Sequence, residues 1–462
     1  MLKKNEEYVV DIIDNGFGGE GIAKIDGITV FIPKAIKGEK IKIKILKVTI
    51  SIAYGKIIEI LDKSNSRIEP DCKTYSKCGG CAMRHISYEA TVEIKKKAVE
   101  TTLTKALGRT INVTDVIKME KPYNYRNKLL YPVGIDIEKN PVMGVYAERT
   151  HKIIPTQTCE IQDKLSQDIA NSIYEFILEN KVNVYDEINL KGSIRHIVIR
   201  IGKRTNEVMI TLVTNTKEIP KEKELVKFIT SKYKQIKTIV KNVNSKNTNV
   251  ILGKENYVLY GDGYIYDYLG AFKFKISPMS FYQVNPIQTE KLYSKAIEYA
   301  ELTGKETIFD LYCGIGTIGI FASPKVKKIY GIETIPEAIK DAKENAQINN
   351  IENAEFFVGD VEKTLPEFIK QKNIKPDVVF VDPPRKGCDK AALETLLKIK
   401  ANKIVYVSCN PATLGRDLRI LEDKYNIKDI SICEMFPFTH HVECIALLEI
   451  KEENCHKVKE KK

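Results

Sequence analysis

The chain has 462 residues, 43% hydrophobic and 29% charged, which excludes a wholly disordered chain and a low-complexity fibre. Lysine and arginine outnumber aspartate and glutamate by 73 to 61, and this formal charge of +12 favours a polyanionic partner without specifying one. At about 100–200 residues per domain, the length predicts two to four domains.

The sequence contains no apolar run near the roughly 18–20 residues that span a bilayer, and its first residues lack the apolar core of a signal peptide. We therefore expect a cytoplasmic protein that does not contact a membrane. The cytosol keeps thiols reduced, so the ten cysteines are not expected to form disulfides. Their spacing is instead a signal for metal binding or catalysis.

Residues 1–62 alternate apolar and polar positions in short runs separated by glycines, as in Lys40-Ile41-Lys42-Ile43-Lys44-Ile45. About five such runs predict a small β-barrel. The pattern resembles the TRAM domain of RNA-modifying enzymes, and that resemblance implies RNA binding. A purely structural barrel with solvated lysines is the alternative.

Residues 63–275 are predicted to form a central α+β domain. It opens with a cysteine-bearing loop from Arg67 to Arg84 and a helix over 87–108 that is expected to pack on the catalytic domain. Strand candidates follow at 195–200 and 207–212.

Residues 276–451 alternate helical patterns with short apolar strands, which is typical of a doubly wound, Rossmann-like parallel sheet in an α/β domain. The strands are expected at 307–311, 328–333, 377–382 and 403–407. A charged tail, 452–462, completes the predicted division into domains.

A glycine-rich loop follows the strand that ends at Asp310. It reads Gly314-Ile315-Gly316-Thr317-Ile318-Gly319, and Glu333 stands at the end of the next strand. Such a loop lets the backbone approach a ligand while the carboxylate binds two ribose hydroxyls. Alone, this arrangement fits a nicotinamide dinucleotide as well as S-adenosylmethionine.

Two later strand ends also carry acidic residues. Asp360 follows one strand, and Asp382 begins an Asp-Pro-Pro-Arg sequence after the next. Doubly wound sheets bind ligands at the carboxyl ends of their strands, so these positions favour a ligand site over a merely rigid turn.

Cys409 follows the strand that ends at 407 and precedes Asn410-Pro411. A thiol at the edge of a cofactor cleft is a candidate nucleophile, although most single cysteines are inert core residues. Glu443, just before the last apolar strand, is a candidate general base, with a solvated surface carboxylate as the alternative.

Five ordered motifs resemble the RNA uracil-C5 methyltransferases that act on ribosomal or transfer RNA, a family of S-adenosylmethionine-dependent enzymes. The resemblance covers nearly the whole chain. The motifs are Ser280-Phe281-Tyr282-Gln283-Val284-Asn285, Asp310-Leu311-Tyr312-Cys313-Gly314-Ile315-Gly316-Thr317, Asp382-Pro383-Pro384-Arg385-Lys386-Gly387, Ser408-Cys409-Asn410-Pro411 and His441-Val442-Glu443.

The resemblance implies that Cys409 adds to C6 of uracil and that Glu443 removes the C5 proton after methyl transfer. Phe281 or Tyr282 is a candidate to stack on a base. The target uridine must be unpaired or flipped out of its stack to be reached. By the same resemblance, S-adenosylmethionine is bound by Gln283, Tyr312, Thr317, Glu333, Asp360 and Asp382.

Cys72, Cys78 and Cys81 lie in one glycine-containing loop, and Cys159 is the nearest later cysteine. Four thiolates can hold zinc or an iron–sulfur cluster, and one C-x-x-C pair with two single cysteines favours the cluster. The spacing also resembles the [4Fe-4S] site of a subset of the family. We expect this cluster to be structural or to organise RNA.

The barrel and the four cysteines resemble the branch of the family that acts on 23S ribosomal RNA, which makes 5-methyluridine in that RNA the predicted product. Transfer RNA is the alternative substrate, and we expect a monomer. An oxidoreductase linked to NAD, a non-catalytic iron–sulfur protein that binds RNA, and an amino-group methyltransferase are remoter alternatives.

Overall fold

The protein is described here by a computed structural model covering residues 2–372 and 374–452, and its chain divides into two compact units. The predicted domain boundaries at 62, 275 and 451 stay a prediction. Apart from Glu452, the predicted charged tail lies outside the described residues. Within the described ranges, no helix is both long and apolar enough to cross a membrane. Unit 1 comprises Met1–Ala98, Lys118–Ile287 and Met435–His440, and unit 2 comprises Val99–Ile117, Gln288–Glu434 and His441–Lys462.

The N-terminal segment of unit 1 forms a six-stranded sheet with strand order β1-β5-β6-β4-β3-β2. Its core is built by alternation, since Ile41, Ile43 and Ile45 are fully buried while the lysines between them point outward. The strands are β1 (Glu7–Asp11), β2 (Asp14–Asn15), β3 (Gly21–Ile25), β4 (Ile28–Ile32), β5 (Lys40–Val48) and β6 (Ile52–Asp62).

A long helix, α1 (Tyr88–Leu107), follows the cysteine-bearing loop. It ends where predicted, because Gly108 adopts a left-handed conformation with φ +71° that terminates the helix. The second half of α1 and the short strand β7 (Asp115–Ile117) belong to unit 2. The sequence analysis did not predict β7.

The central part of unit 1 is a seven-stranded sheet with order β10-β9-β8-β11-β12-β13-β14, followed by a separate hairpin, β15–β16. Strands β11 and β12 are buried along their whole length, and in β11 the buried residues include Arg195, His196 and Arg200. The elements are β8 (Lys128–Ile135), β9 (Pro141–Tyr146), β10 (Ile153–Pro155), α2 (Lys164–Glu179), β11 (Ile194–Ile201), β12 (Val208–Thr214), α3 (Glu222–Lys232), β13 (Ile236–Val243), β14 (Glu255–Tyr260), β15 (Ile265–Leu269) and β16 (Phe272–Ile276).

Unit 2 is built on an eight-stranded sheet with order β19-β18-β17-β20-β21-β23-β22-β7. Strands β17 to β21 are mutually parallel, whereas β23 is antiparallel to both β21 and β22. The elements are α4 (Pro286–Ala300), β17 (Thr307–Leu311), α5 (Thr317–Ala322), β18 (Lys328–Glu333), α6 (Pro336–Ile348), β19 (Ala354–Val358), α7 (Val361–Lys372), β20 (Val378–Val381), α8 (Lys390–Ile399), β21 (Lys403–Ser408), α9 (Pro411–Leu421), β22 (Tyr425–Cys433) and β23 (Glu443–Ile450).

The predicted α/β fold class, with an N-terminal β domain and a mixed central region, is confirmed. The sheet order places the reversal between β17 and β20, because β18 and β19 extend to one side of β17 and the remaining strands to the other. Ligands of doubly wound sheets bind at such a reversal, beside the carboxyl ends of the strands. A ligand site is therefore expected at the loops after β17, β18, β20 and β21.

Candidate active site

The loop after β17 adopts the left-handed backbone conformations that a tight turn requires. Tyr312, Gly314 and Gly316 have φ values of +63°, +54° and +80°. A Cβ atom on Gly316 would approach the Phe356 ring to 2.9 Å, so a side chain there would displace the ring. A Cβ atom on Gly314 would meet no atom within 4 Å, which leaves the loop open on that side.

Two carboxylates hold this loop. Asp310 is 1% exposed, and its Oδ2 accepts a hydrogen bond from the Gly319 N–H at 2.8 Å. Glu333, at the end of β18, accepts one from the Gly314 N–H at 3.2 Å and another from the Thr334 N–H at 2.7 Å. The backbone around the glycine loop is thus fixed by acidic side chains from two neighbouring strands.

Asp310 and Asp382 have raised pKa values. Burial raises the pKa of each carboxyl to about 7, and the charge of Asp382 contributes to the shift at Asp310. The Oδ1 atom of Asp310 is buried without a hydrogen-bond partner among the described residues. Unsatisfied acceptors are costly in a protein interior, so this part of the loop is prepared for a donor from a bound molecule.

The structure brings Cys409, Glu443 and Asp382 together at the ends of β21, β23 and β20. The pKa of the Cys409 thiol is raised to about 11, mainly by burial and in addition by the carboxylates of Glu443 and Asp382, while Arg385 opposes them. Glu443 is 4% exposed. Its pKa is raised well above the usual range by burial and by Asp382, and is again lowered by Arg385.

Arg385 is therefore the cation of this cluster, a role that the sequence analysis did not assign. Its carbonyl oxygen accepts hydrogen bonds from the Asn410 amide at 3.2 Å and from the Thr413 hydroxyl at 3.3 Å. Asn410 also caps α9, because its Oδ1 accepts the Ala412 N–H at 3.0 Å. The loops that carry Arg385 and Cys409 are thus tied together.

The buried carboxylate of Asp417 joins the strand that leads to Cys409 to the loop that follows Arg385. Asp417 on α9 accepts a hydrogen bond from the Tyr406 hydroxyl at 2.6 Å and from the Cys388 N–H at 2.9 Å. Arg416 donates to Asp417 and to the carbonyl oxygen of Lys386. No motif in the sequence marks Asp417, and only the fold reveals its position.

Tyr293 on α4 is a further residue that the sequence analysis missed. Its hydroxyl lies 3.1 Å from that of Thr317, the first residue of α5, and either oxygen can donate. Burial raises the pKa of Tyr293, and the charges of Asp382, Asp310 and Glu443 raise it further. Tyr293 therefore lies among the predicted site residues of unit 2.

Tyr312 and Asp360 are less closely tied to the cluster. The Tyr312 hydroxyl lies beside the Cys388 thiol, and burial raises the pKa of this hydroxyl. Asp360 precedes α7, where its carbonyl oxygen accepts the Thr364 N–H at 2.8 Å and its carboxylate pairs with Lys363 at 3.6 Å. Both residues stand at strand ends, as predicted.

Gln283 belongs to unit 1, in a segment supported by two residues that sequence reasoning did not identify. The Asn127 amide donates to the Gln283 carbonyl oxygen at 3.0 Å, and the buried Arg200 guanidinium donates to that of Ser280 at 2.7 Å. Of the two aromatic residues in this segment, Phe281 is 72% exposed and Tyr282 only 4%. Phe281 is therefore the one available for stacking.

The four cysteines of the predicted cluster lie in one neighbourhood of unit 1. The pKa of Cys81 is raised to about 12, mainly by burial and in addition by the charges of Cys159, Cys78 and Cys72. The Gln167 side-chain amide accepts a hydrogen bond from the Cys159 backbone N–H and donates one to the Cys159 carbonyl oxygen. Among residues 2–372 and 374–452, however, no three His, Cys, Asp or Glu side chains are arranged to hold a metal ion.

The fold and the site together define a class: methyltransferases that use S-adenosylmethionine. A solved structure with this architecture is the Pyrococcus abyssi tRNA (uracil-54, C5)-methyltransferase in complex with S-adenosyl-L-homocysteine. It is 28% identical with a TM-score of 0.76, and the match covers 96% of this chain and 100% of that one.

The family follows from the sequence comparisons. Residues 169–451 match the model of the tRNA (Uracil-5-)-methyltransferase family, and residues 2–58 match the TRAM domain. Two similar proteins are described as uncharacterized RNA methyltransferases. That of Clostridium acetobutylicum is 49% identical over 97% of this chain and 98% of its own, and that of Clostridium tetani is 47% identical over 97% of both. The chain belongs to the tRNA (Uracil-5-)-methyltransferase family and is an RNA uracil-5 methyltransferase that uses S-adenosylmethionine.

Proposed function

We propose that this protein methylates C5 of a uridine in 23S ribosomal RNA through a covalent adduct between Cys409 and C6 of the base. The observation that carries the chemistry is the grouping of Cys409, Glu443 and Asp382 at adjacent strand ends. The choice of ribosomal RNA rests on the four cysteines combined with the TRAM domain, as in the ribosomal branch that the chain resembles.

Cys409 is the nucleophile in this proposal. Uracil C5 is a weak nucleophile, and bond formation between the Cys409 thiolate and C6 places the electron pair on C5 and O4. With a pKa of about 11, the thiol is largely protonated at neutral pH, so its proton must pass to solvent water before the sulfur attacks. Arg385 favours the thiolate because its charge opposes that of the two carboxylates.

Glu443 is the general base that completes the reaction. S-adenosylmethionine supplies the methyl group that C5 accepts. The Glu443 carboxylate then takes the proton from C5, the electron pair forms the C5–C6 double bond, and the bond between C6 and the Cys409 sulfur breaks. A buried carboxyl with a raised pKa is a stronger base than an exposed one, which suits removal of a carbon-bound proton.

The residues present fit S-adenosylmethionine. The unpartnered Oδ1 of Asp310 and the open space beside Gly314 offer an acceptor and room for backbone approach. We assign Glu333 to the ribose hydroxyls, as in other glycine-loop sites. The remaining residues assigned to this ligand are Gln283, Tyr312, Thr317, Asp360 and Asp382.

We further propose that Cys72, Cys78, Cys81 and Cys159 hold a [4Fe-4S] cluster. The four partly buried thiols lie close enough for the charges of Cys72, Cys78 and Cys159 to raise the pKa of Cys81, and four such thiols supply the donor set of this cluster. Protein purified without oxygen is expected to contain iron and acid-labile sulfide, and Cys81→Ser is expected to lose both. Zinc without sulfide would contradict this assignment.

Residues 1–62 are proposed to bind the RNA. The protein is proposed to act as a monomer. The net charge of +12 suits a polyanion, and the TRAM match agrees with this partner. Light scattering of the purified protein is expected to give the mass of one chain, about 52.5 kDa.

Transfer RNA is the second candidate substrate, because the Pyrococcus abyssi relative is described as a tRNA (uracil-54, C5)-methyltransferase. The deciding experiment supplies labelled S-adenosylmethionine with unmodified ribosomal or transfer RNA in separate reactions and identifies the labelled nucleoside by mass spectrometry. Label in 5-methyluridine of 23S ribosomal RNA is expected. Label only in transfer RNA would reverse the choice of substrate, and label in another nucleoside would overturn the proposed reaction.

Three variants test the residue assignments in the same assay. Glu443→Gln is expected to form a covalent RNA adduct, visible on a denaturing gel, and to release it slowly. Cys433→Ala changes a different cysteine of unit 2 and serves as the control for Cys409→Ala. Adduct formation by Cys409→Ala would contradict the assignment of the nucleophile.

A further inference from the structure

One face of the β15–β16 hairpin in unit 1 consists of tyrosine and lysine side chains, and we call it the tyrosine–lysine face. In the strand register, Tyr266 lies opposite Lys275 and Tyr268 opposite Lys273. Residues that are paired in this way project to the same side of a sheet. Tyr264, two residues before Tyr266, continues the row, and all five side chains are partly exposed.

The side chains on this face are ordered by contacts among themselves. The Lys273 ammonium lies 4.0 Å from the centre of the Tyr266 ring, and that of Lys275 lies 4.4 Å from the centre of the Tyr264 ring. The two rings contact each other edge to face, with centres 5.4 Å apart. Each lysine thus leans over the tyrosine diagonally across the hairpin, and the result is a regular ladder of rings and cations.

The other face of the hairpin fixes this ladder in place. Ile265, Leu269 and Phe274 are at most 1% exposed. Asp267, also buried, accepts a hydrogen bond from the Arg204 N–H at 2.9 Å, and the Arg204 guanidinium donates to the Gly270 carbonyl oxygen at 2.8 Å. The partly exposed rings are therefore carried by a hairpin whose other face is packed and hydrogen-bonded. Arg204 adds a third cation beside the hairpin turn.

We propose that the tyrosine–lysine face binds an unpaired segment of the RNA outside the target uridine. Proteins hold single strands by stacking bases on aromatic rings while cations contact the phosphates, and this face interleaves the two groups. Phosphate oxygens accept hydrogen bonds from ammonium groups and bases stack on aromatic rings, so the two kinds of side chain on this face suit the two parts of one strand. The proposal rests on the proposed function only in taking RNA as the partner.

Single-stranded RNA fits this face better than a duplex does. The bases of a duplex are stacked on each other and cannot cover tyrosine rings, whereas an unpaired segment presents base faces and phosphates together. The hairpin also leads along the chain to Phe281, which is 72% exposed. Aromatic rings suited to stacking therefore continue from the hairpin into the segment that carries Gln283.

Binding without S-adenosylmethionine tests the proposal separately from methyl transfer. The probes are a fluorescent ten-nucleotide RNA of mixed sequence and the same strand in a duplex, measured by anisotropy with the full chain. Tyr266→Ala is expected to weaken single-strand binding about 5- to 100-fold, whereas Tyr266→Phe keeps the ring and the affinity. Lys273→Ala combined with Lys275→Ala is expected to reduce the slope of log K against log salt by about 1.4.

The matched control removes two cations from elsewhere in unit 1. Lys223 and Lys227 are exposed on α3, and their double alanine variant carries the same charge as the hairpin double variant. This control is expected to bind the single strand within about twofold of the wild type. Equal losses in both double variants, or wild-type binding by Tyr266→Ala, would overturn the proposal. A protein would then be the expected partner of this face.

Cross-linking of the unaltered protein covers the case in which Tyr266→Ala does not fold. RNA containing 4-thiouridine is irradiated in the complex, and the cross-linked peptides are identified by mass spectrometry. Cross-links are expected within residues 264–275. Cross-links found only outside this range would overturn the proposal, whatever the outcome of the methylation assay.

Discussion

Asn410 donates a hydrogen bond from its side-chain amide to the carbonyl oxygen of Arg385 at 3.2 Å, and so joins the loop of the proposed nucleophile to the loop of the cation beside it. The same side chain accepts the Ala412 N–H and caps α9. One residue therefore serves helix stability and loop position through two different atoms, and conservative variants can separate the two roles.

Asn410→Asp is expected to keep the cap and lose the donor to Arg385. Methylation should fall roughly 10- to 100-fold because the loops lose one of the hydrogen bonds that tie them and only that from Thr413 to Arg385 remains, while the melting temperature stays near that of the wild type. Asn410→Ala loses the cap as well and should also be destabilised by about 1 kcal/mol. Wild-type turnover by Asn410→Asp, measured with saturating RNA, would show that the bridge does not position the site.

Cys409→Ala is expected to abolish methylation and the covalent adduct, because no other group replaces the attacking thiolate. Its affinity for S-adenosylmethionine, measured by calorimetry, should remain within a few-fold of the wild type. Cys433→Ala, which removes a different thiol of unit 2, is expected to keep turnover. Residual adduct in Cys409→Ala would point to another nucleophile.

The pH dependence of the reaction should report the thiol of Cys409. Its pKa of about 11 in the protein without ligand lies above the working range, and the Glu443 carboxyl, whose pKa is also raised, must ionise too, so kcat/KM is expected to rise at least about tenfold per pH unit. Arg385→Gln removes the charge that lowers this pKa and should move the rising limb to higher pH. Lys386→Gln, a neighbouring exposed cation, serves as control, and an identical shift in both variants would rule out a specific role for Arg385.

Asp310 should make stability fall between pH 4 and pH 7. Its pKa is about 7 in the folded chain against an ordinary value of 3.8. In this window the folded state holds a proton that the unfolded state has released, so the free energy of unfolding decreases as pH rises, by up to about 4 kcal/mol.

Asp310→Asn lacks this penalty and is expected to melt up to about 10 °C above the wild type at pH 8, with little difference near pH 4. The exposed Asp423→Asn is the control for removal of a carboxylate. A melting difference that is the same at both pH values would contradict the assigned cause.

Much of the site in unit 2 was predictable because the carboxyl ends of parallel strands meet at one edge of a sheet. Apolar runs that end in Asp310, Glu333, Asp382 and Cys409 predict where the strands lie and which residues stand at their carboxyl ends. The supporting residues gave no such signal. Asp417 and Tyr293 lie on helices whose patterns indicate only a packed face, and their partners are distant in the sequence.

The sequence by itself determined the α/β class, the order of the motifs and the chemical groups of the reaction, since these depend on local periodicity and residue type. Only the tertiary structure decided which distant groups meet. It brought Cys159 to the three cysteines of the early loop and added β7 to the sheet beside β22. A strand of three residues has no periodicity to recognise, and a single cysteine has no spacing, so both positions depend on long-range packing that local sequence does not encode.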